Sequence, residues 1–262
     1  MKLTRIKLLA VATSLALPAL ASAQQNFYYT GPKTNNVDVF GHGVGAYGMS
    51  TSPTLTNPFN VFCIDYDHTA PNKSTVANPM AFSAYSLTFK DATINSSTNF
   101  NALVKVLGTP ALLSGTGYAA TTASQYLTDL KAAAYLSTLF TSGNVGEWDN
   151  IHGAIWSIFS PNSALSTANY GANFISTYRN NAFTFVNNVA TPANYFDDFH
   201  VIIDARAYNT YGNTYSQAFI TSDPSVGPTS VVPEPSTYAL FAAGLIGIAF
   251  ARRRRNKKVV VA

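Results

Sequence analysis

The chain has few of the residues that cross-link or charge a protein. It contains one cysteine, Cys63, among 262 residues, so no disulfide can form within it. Charged residues make up only 11% of the chain. The closely spaced glycines at Gly41, Gly43, Gly45 and Gly48 are not followed by a helical pattern, which argues against a phosphate-binding loop. No internal repeat is evident, so the sequence does not indicate a repeat architecture.

Positive charge is concentrated at the two ends of the chain. Of the 16 Lys and Arg residues, three precede residue 24 and six follow residue 251, which leaves seven between them. Eleven of the 12 acidic residues lie in that central part, so residues 24–231 carry a net charge of −4. A body of this charge does not favour nucleic acid binding. Its length of about 208 residues is enough for one good-sized core.

The N-terminal end has the features of a secretory signal. Three basic residues lie within the first seven positions, and an apolar stretch follows over residues 8–20. The next residues provide the small side chains that signal peptidase requires. We therefore predict a signal peptide over residues 1–23, with Ala21 and Ala23 at the cleavage site and Gln24 as the mature N-terminus.

A second apolar run, near the C-terminus, is short for a permanent membrane anchor. Residues 238–251 carry no charge and would form a helix of roughly 21 Å, against a hydrocarbon core of ~30 Å. Prolines upstream obstruct a regular extension of this helix. A basic cluster follows the run and should face the cytoplasm. Its members are Arg252, Arg253, Arg254, Arg255, Lys257 and Lys258.

This tail closely resembles the PEP-CTERM sorting signal, in which a Pro-Glu-Pro motif, one short membrane helix and a basic cluster follow one another. The resemblance implies that Pro233, Glu234 and Pro235 are recognised by an exosortase, a membrane cysteine protease-transpeptidase. It also implies export through the inner membrane, transient anchoring there, and delivery to the cell surface or extracellular matrix. The alternative is an ordinary tail anchor.

Strand-like segments open and close the body, and helical periodicity fills its middle. The predicted strands are 26–30, 37–47, 60–67, 85–89, 199–205 and 214–220, and the predicted helices are 121–140, 147–159 and 171–189. Strands, then helices, then strands are typical of an α+β fold. We expect a β-rich sheet or sandwich with an inserted helical segment, plus one C-terminal transmembrane sorting helix. In the predicted strand 60–67, Val61 and Cys63 should share one face.

These features predict four parts of the chain. They are the signal peptide, 1–23; an exported α+β domain, 24–221; a linker, 222–231, with two prolines; and the sorting signal, 232–258.

Two short motifs of the body are candidates for chemistry. Phe62-Cys63 lies on a predicted strand and Ala154-Ile155-Trp156 on a predicted helix. Over residues 55–160 they resemble the Cys–Gln thioester domains of bacterial surface adhesins. In those domains, a glutamine four residues before the tryptophan acylates the cysteine.

His152 stands at the position of that glutamine, and imidazole cannot form the acyl bond. We expect no other glutamine near Cys63, because Gln125 lies on the preceding helix and Gln217 on the last strand. A thioester is therefore disfavoured. An alternative is that Cys63 and His152 form a nucleophile–base pair, but a lone cysteine on a strand is more often a small buried side chain.

A third pattern, Asp65, Asp67 and His68, could offer oxygens and an imidazole to a metal. The glycine and glutamate of a calcium loop are missing, so we expect a solvated strand end and no metal or cofactor.

These observations predict an exported, exosortase-sorted protein that is not an enzyme and is structural or adhesive in exopolysaccharide or biofilm. Its expected partners are exosortase, signal peptidase, the membrane and exopolysaccharide, without nucleic acid. Two alternatives stay open: a carbohydrate-binding module, and an extracellular hydrolase that depends on Cys63 and His152.

Overall fold

The structure of the chain is a computed structural model, which describes residues 24–33, 43–66, 68–89, 97–108, 122–159, 172–208 and 215–224. The chain divides into two units, and every described residue belongs to the first, Met1–Thr229. The predicted signal peptide, most of the predicted linker and the predicted sorting signal lie outside the described residues.

Six strands form a closed barrel in which every neighbouring pair is antiparallel. In chain order they are β1 Gln25–Pro32, β2 Tyr47–Ser50, β3 Phe59–Cys63, β4 Ala81–Thr88, β5 His200–Asp204 and β6 Phe219–Thr221. Around the barrel the order is β1-β2-β3-β6-β5-β4, and β4 completes the ring by pairing with β1. The sequence predicts a β-rich sheet or sandwich. The sheet instead closes on itself, which gives each of these six strands two partners.

Alternating side chains fill the barrel. In β1, Phe27 and Tyr29 are buried between more exposed neighbours. In β3, Val61 and Cys63 are buried while Asn60 between Phe59 and Val61 is exposed. Val61 and Cys63 thus share one face, as the period-2 pattern predicts.

Between β4 and β5 the described residues form four helices: α1 Ser97–Leu107, α2 Ala123–Ser137, α3 Trp148–Phe159 and α4 Ala172–Asn187. Helices α2, α3 and α4 pack on one another, and α1 packs against the 3₁₀ turn Ala205–Tyr208 that follows β5. The Thr122 side chain caps α2 by accepting a hydrogen bond from the backbone N–H of Gln125. The α+β organisation with a helical insertion is confirmed, although the sequence pattern does not predict α1.

The predicted strand 37–47 is wrong over the part that the structure describes, because β2 begins only at Tyr47. The chain turns at Gly45, whose φ of +91° favours glycine. A Cβ atom at Gly45 would lie 2.5 Å from Cε3 of Trp148, so this turn packs directly on the first residue of α3. Residues 37–42 lie outside the described residues. The predicted strand 60–67 also ends early, at Cys63.

Among the described helices, none is both long and apolar enough for a membrane crossing. The predicted sorting helix, 238–251, lies outside them.

Candidate functional site

Cys63 and His152 come together where the end of β3 meets α3. Nε2 of His152 lies 3.0 Å from the backbone carbonyl oxygen of Cys63. The backbone N–H of Gly45 donates to Nδ1 of the same ring, also at 3.0 Å. The side chains of Cys63 and His152 are both fully buried. His152 therefore joins three separate parts of the chain, namely α3, β3 and the turn before β2.

These two hydrogen bonds occupy both ring nitrogens of His152. The Gly45 amide can only donate, so Nδ1 accepts, and the ring proton on Nε2 is donated to the Cys63 carbonyl. Burial lowers the pKa of His152 to about 3, against the opposing effect of the hydrogen bond to Cys63. A neutral imidazole held in this way has no free lone pair with which to take a proton from a thiol.

Aromatic rings enclose this imidazole. Trp156, one helical turn further along α3, stacks on His152 with ring centroids 4.4 Å apart and an interplanar angle of 18°. Phe140 and Tyr47 approach it edge-on, with centroid distances of 5.1 and 6.3 Å. The spacing of His152 and Trp156 is thus explained by packing on one helix face.

The thiol of Cys63 is held in a protonated state. It donates a hydrogen bond to the backbone carbonyl oxygen of Asp65 at 2.9 Å. Burial raises the pKa of Cys63 far above its ordinary value, and the nearby Asp65 carboxylate raises it further. Since the thiolate is the reactive form of cysteine, this environment disfavours nucleophilic chemistry.

A glutamine does lie close to Cys63, so the expectation that none would do so is wrong. Nε2 of Gln217 donates to the Asp65 carbonyl at 3.2 Å, and this is the same oxygen that accepts the Cys63 thiol. The cause is the barrel order, since β3 pairs with β6 and places Cys63 opposite Phe219. The Phe62-Cys63 and Ala154-Ile155-Trp156 motifs do not predict that β3 pairs with β6, because Cys63 and Gln217 are far apart in the sequence. In the structure, Gln217 uses its amide nitrogen as a hydrogen-bond donor.

The acidic pattern after β3 brings a carboxylate within hydrogen-bond distance of an imidazole. Oδ2 of Asp65 lies 2.7 Å from Nδ1 of His68, and Asp65 is buried. Asp67 lies outside the described residues. Over the part of the chain that the structure describes, no three His, Cys, Asp or Glu side chains are grouped closely enough to hold a metal ion.

Comparison with known proteins concerns the tail alone. Residues 231–255 match the PEP-CTERM protein-sorting motif. The chain carries a PEP-CTERM sorting motif. It is therefore an exported protein that an exosortase sorts. No curated protein and no solved structure matches the chain significantly.

The PEP-CTERM match includes the predicted recognition residues Pro233, Glu234 and Pro235. It also includes the four arginines of the basic cluster and ends before Lys257 and Lys258. The roles of these residues, and of Ala21 and Ala23 at the predicted signal cleavage site, stay predictions because all of them lie outside the described residues.

Proposed function

We propose that the exported domain is a structural or adhesive component of the extracellular polysaccharide matrix, and that it is not an enzyme. The observation that carries this proposal is the PEP-CTERM motif at residues 231–255. Exosortase sorting brings a chain to the outside of the inner membrane, where its body meets surface and matrix polymers.

The interior of the barrel supports a non-catalytic role. The hydrolase alternative needs a thiolate at Cys63 and a base at His152. Instead, the Cys63 thiol donates a hydrogen bond to the Asp65 carbonyl, and the His152 imidazole is hydrogen-bonded to two backbone groups. The imidazole of His152 therefore joins α3 to the backbone of β3 and stabilises the fold.

The matrix role can be tested by deletion and complementation. A strain that lacks the protein should form a matrix that is less cohesive or retains less polysaccharide, and the wild-type chain should restore it. A Glu234→Ala chain, which leaves the body unchanged, should fail to restore it because sorting is lost. An unchanged matrix in the deletion strain would rule out the proposed role.

A further inference from the structure

A surface cleft of about 510 Å³ lies on the β4–β5 side of the barrel. Its lining includes two tyrosines, Tyr85 and Tyr208, and the ion pair of Asp204 and Arg206, together with Asn72 and Ser83. This volume falls within the range of about 300–1,000 Å³ that is usual for ligand pockets. The mixture of aromatic rings and a few fixed polar groups also suits a ligand site.

Arg206 is held rigidly in this cleft by Asp204. Nε of Arg206 lies 3.0 Å from both carboxylate oxygens of Asp204, and Nη2 also bonds to Oδ2. The backbone N–H of Ser216 donates to the same Oδ2 at 2.9 Å. Burial alone would raise the pKa of Asp204, but the hydrogen bonds from Arg206 and Ser216 outweigh it and lower the pKa.

The guanidinium nevertheless keeps an open edge. The Asp204 side chain is 3% exposed, whereas that of Arg206 is 55% exposed. Within the described residues, Nη1 of Arg206 makes no hydrogen bond. Nη2 also donates to Oγ of Ser216 at 3.2 Å, so the two N–H groups of Nη1 are the ones that can reach an incoming carboxylate. Arg206 is therefore placed to bind an anionic group that enters the cleft.

Two tyrosine rings form the apolar wall of the cleft. The ring centroids of Tyr85 and Tyr208 are 4.2 Å apart, with an interplanar angle of 49°. The hydroxyl of Tyr208 donates to Oδ1 of Asn99 on α1 at 2.7 Å, which anchors this ring. Both tyrosines are only half-buried. Aromatic faces carry partial negative charge, so they attract the C–H groups on the face of a pyranose ring.

The described lining of the cleft carries no net charge, whereas the body as a whole is negative. Asp204 is the one carboxylate among the described lining residues, and Arg206 already neutralises it. Gln24, the predicted mature N-terminus, also lines the cleft and would add an α-ammonium group there after signal cleavage. Without that group the described lining is neutral, so a ligand carboxylate would be held by direct hydrogen bonds from Arg206 and not by diffuse attraction.

We propose that this cleft binds a carboxylate-bearing sugar unit of an acidic polysaccharide, with Arg206 on the carboxylate and the Tyr85–Tyr208 pair against the sugar ring. The choice of a polysaccharide rests on the proposed matrix function. The residues and the acidic class of the sugar rest on the cleft alone.

The proposal can be tested by titrating the full-length chain, purified in detergent, with polygalacturonate, with its carboxyl-reduced form and with polyglutamate. The wild type should bind polygalacturonate more tightly than the other two polymers. Arg206→Gln should weaken that binding by about tenfold or more, the range expected for hydrogen bonds to a charged group. Tyr85→Ala should weaken the binding of polygalacturonate, because the sugar ring loses its aromatic contact. The weaker binding of polyglutamate should stay unchanged.

Two further variants separate binding from folding and from general charge. Ser83→Glu adds a carboxylate to the cleft wall and leaves the Asp204–Arg206 pair intact, so it should abolish binding while the melting temperature stays near that of the wild type. Lys33→Gln removes one exposed positive charge outside the cleft and should change the affinity little. Wild-type affinity in both Ser83→Glu and Arg206→Gln would refute the site. Equal binding of the carboxyl-reduced polymer or of polyglutamate would refute the ligand class.

The outcomes also distinguish this proposal from the matrix function. If the wild type binds none of the polymers but the deletion strain has a defective matrix, the cleft proposal fails and the matrix role stands. If binding follows the predicted variant pattern but the deletion strain has a normal matrix, the matrix role fails and the acidic-sugar site stands.

Discussion

At the scale of single residues, two buried titratable groups have opposite environments. His152 has a hydrogen bond on each nitrogen, and burial lowers its pKa from 6.5 to about 3. Asp129, on α2, is buried, and its Oδ2 atom has no hydrogen-bond partner among the described residues. Burial raises the pKa of Asp129 from 3.8 to about 7. Both groups are therefore most stable in the fold when they are neutral.

These shifts predict that the two groups give opposite pH dependences of stability. Between pH 3 and 6.5 the unfolded chain protonates His152 and the folded chain does not, so stability falls with falling pH. Between pH 3.8 and 7 the folded chain protonates Asp129 and the unfolded chain does not, so stability rises with falling pH. Each slope is at most about 1.4 kcal/mol per pH unit, and the two should largely cancel where they overlap.

Asp129→Asn removes the contribution of Asp129 to the pH dependence of the free energy of unfolding and leaves that of His152. We expect the free energy of unfolding of this variant, relative to the wild type, to decrease as the pH is lowered from 7 towards 4. Urea unfolding of both proteins at several pH values in this window measures the difference, in which the other titrating groups cancel. A difference that does not change with pH would show that Asp129 is ionised normally in the fold.

Cys63 should behave as an inert, free thiol. Because it is fully buried and its pKa is raised, a thiol reagent should not label it in the folded protein but should label it fully after unfolding in denaturant. Peptide mapping should find no Cys63–Gln217 cross-link, and its peptides should lack the loss of about 17 Da that accompanies thioester formation. The map is needed because cyclisation of an N-terminal Gln24 gives the same loss in the intact mass. Rapid labelling, or a cross-linked peptide, would reinstate the reactive alternatives.

At the scale of elements, the sequence predicts what depends on local patterns. Aromatic and β-branched content predicts β1, period-2 alternation predicts β3, and helical spacing predicts α2, α3 and α4. The sequence pattern does not predict helix α1, because its first turns contain Ser97, Thr98 and two asparagines. These residues favour caps and turns over helix interiors. The pairing of β3 with β6 cannot be read locally at all, and this is why Gln217 was not expected beside Cys63. Arg206 is also missed, because its role depends on a cleft that separate elements build.

The turn before β2 should depend strictly on glycine at position 45. Gly45→Ala combines a strained positive φ with a Cβ atom 2.5 Å from the Trp148 ring, so we expect a loss of about 2–4 kcal/mol in stability. Gly146→Ala is the matched control, since Gly146 is exposed and a Cβ atom there meets nothing within 4 Å. Thermal or urea unfolding of the two variants measures the contrast. Equal stability of both would mean that α3 can move away from the turn at little cost.

At the scale of the whole molecule, the body and the tail have separate tasks, and the sequence reports on them unequally. The tail is recognised from a linear motif, because the PEP-CTERM match depends only on the order of residues 231–255. The acidic-sugar cleft is formed by side chains from β4, the end of β5 and the loop at residues 71–72, so it exists only after folding. Sequence motifs therefore identify the sorting signal of the protein more readily than its ligand-binding site.

Sorting should depend on the Pro-Glu-Pro motif and the basic cluster together. Glu234→Ala, or replacement of Arg252, Arg253, Arg254 and Arg255 by Ser, should leave unprocessed or mislocalised precursor, because the arginines set orientation in the membrane. Glu147→Ala, which changes the other glutamate of the chain, should be sorted normally. Cell fractionation with mass spectrometry of the mature protein measures all three. Normal processing of both tail variants would contradict the assigned roles of these residues.

The position of β6 in the ring has a consequence for the order in which the domain can assemble during export. β6 is the last of the described strands in the chain, and it lies between β3 and β5. Translocation from the N-terminus, which the predicted signal peptide implies, delivers the other five strands first, and they can form only a curved ribbon that is open along β3 and β5. Residues 219–221 then join the two edges, so a three-residue strand seals the domain. A chain truncated before Phe219 should therefore expose two pairing edges and self-associate, whereas the closed barrel leaves none of its six strands with an unpaired edge.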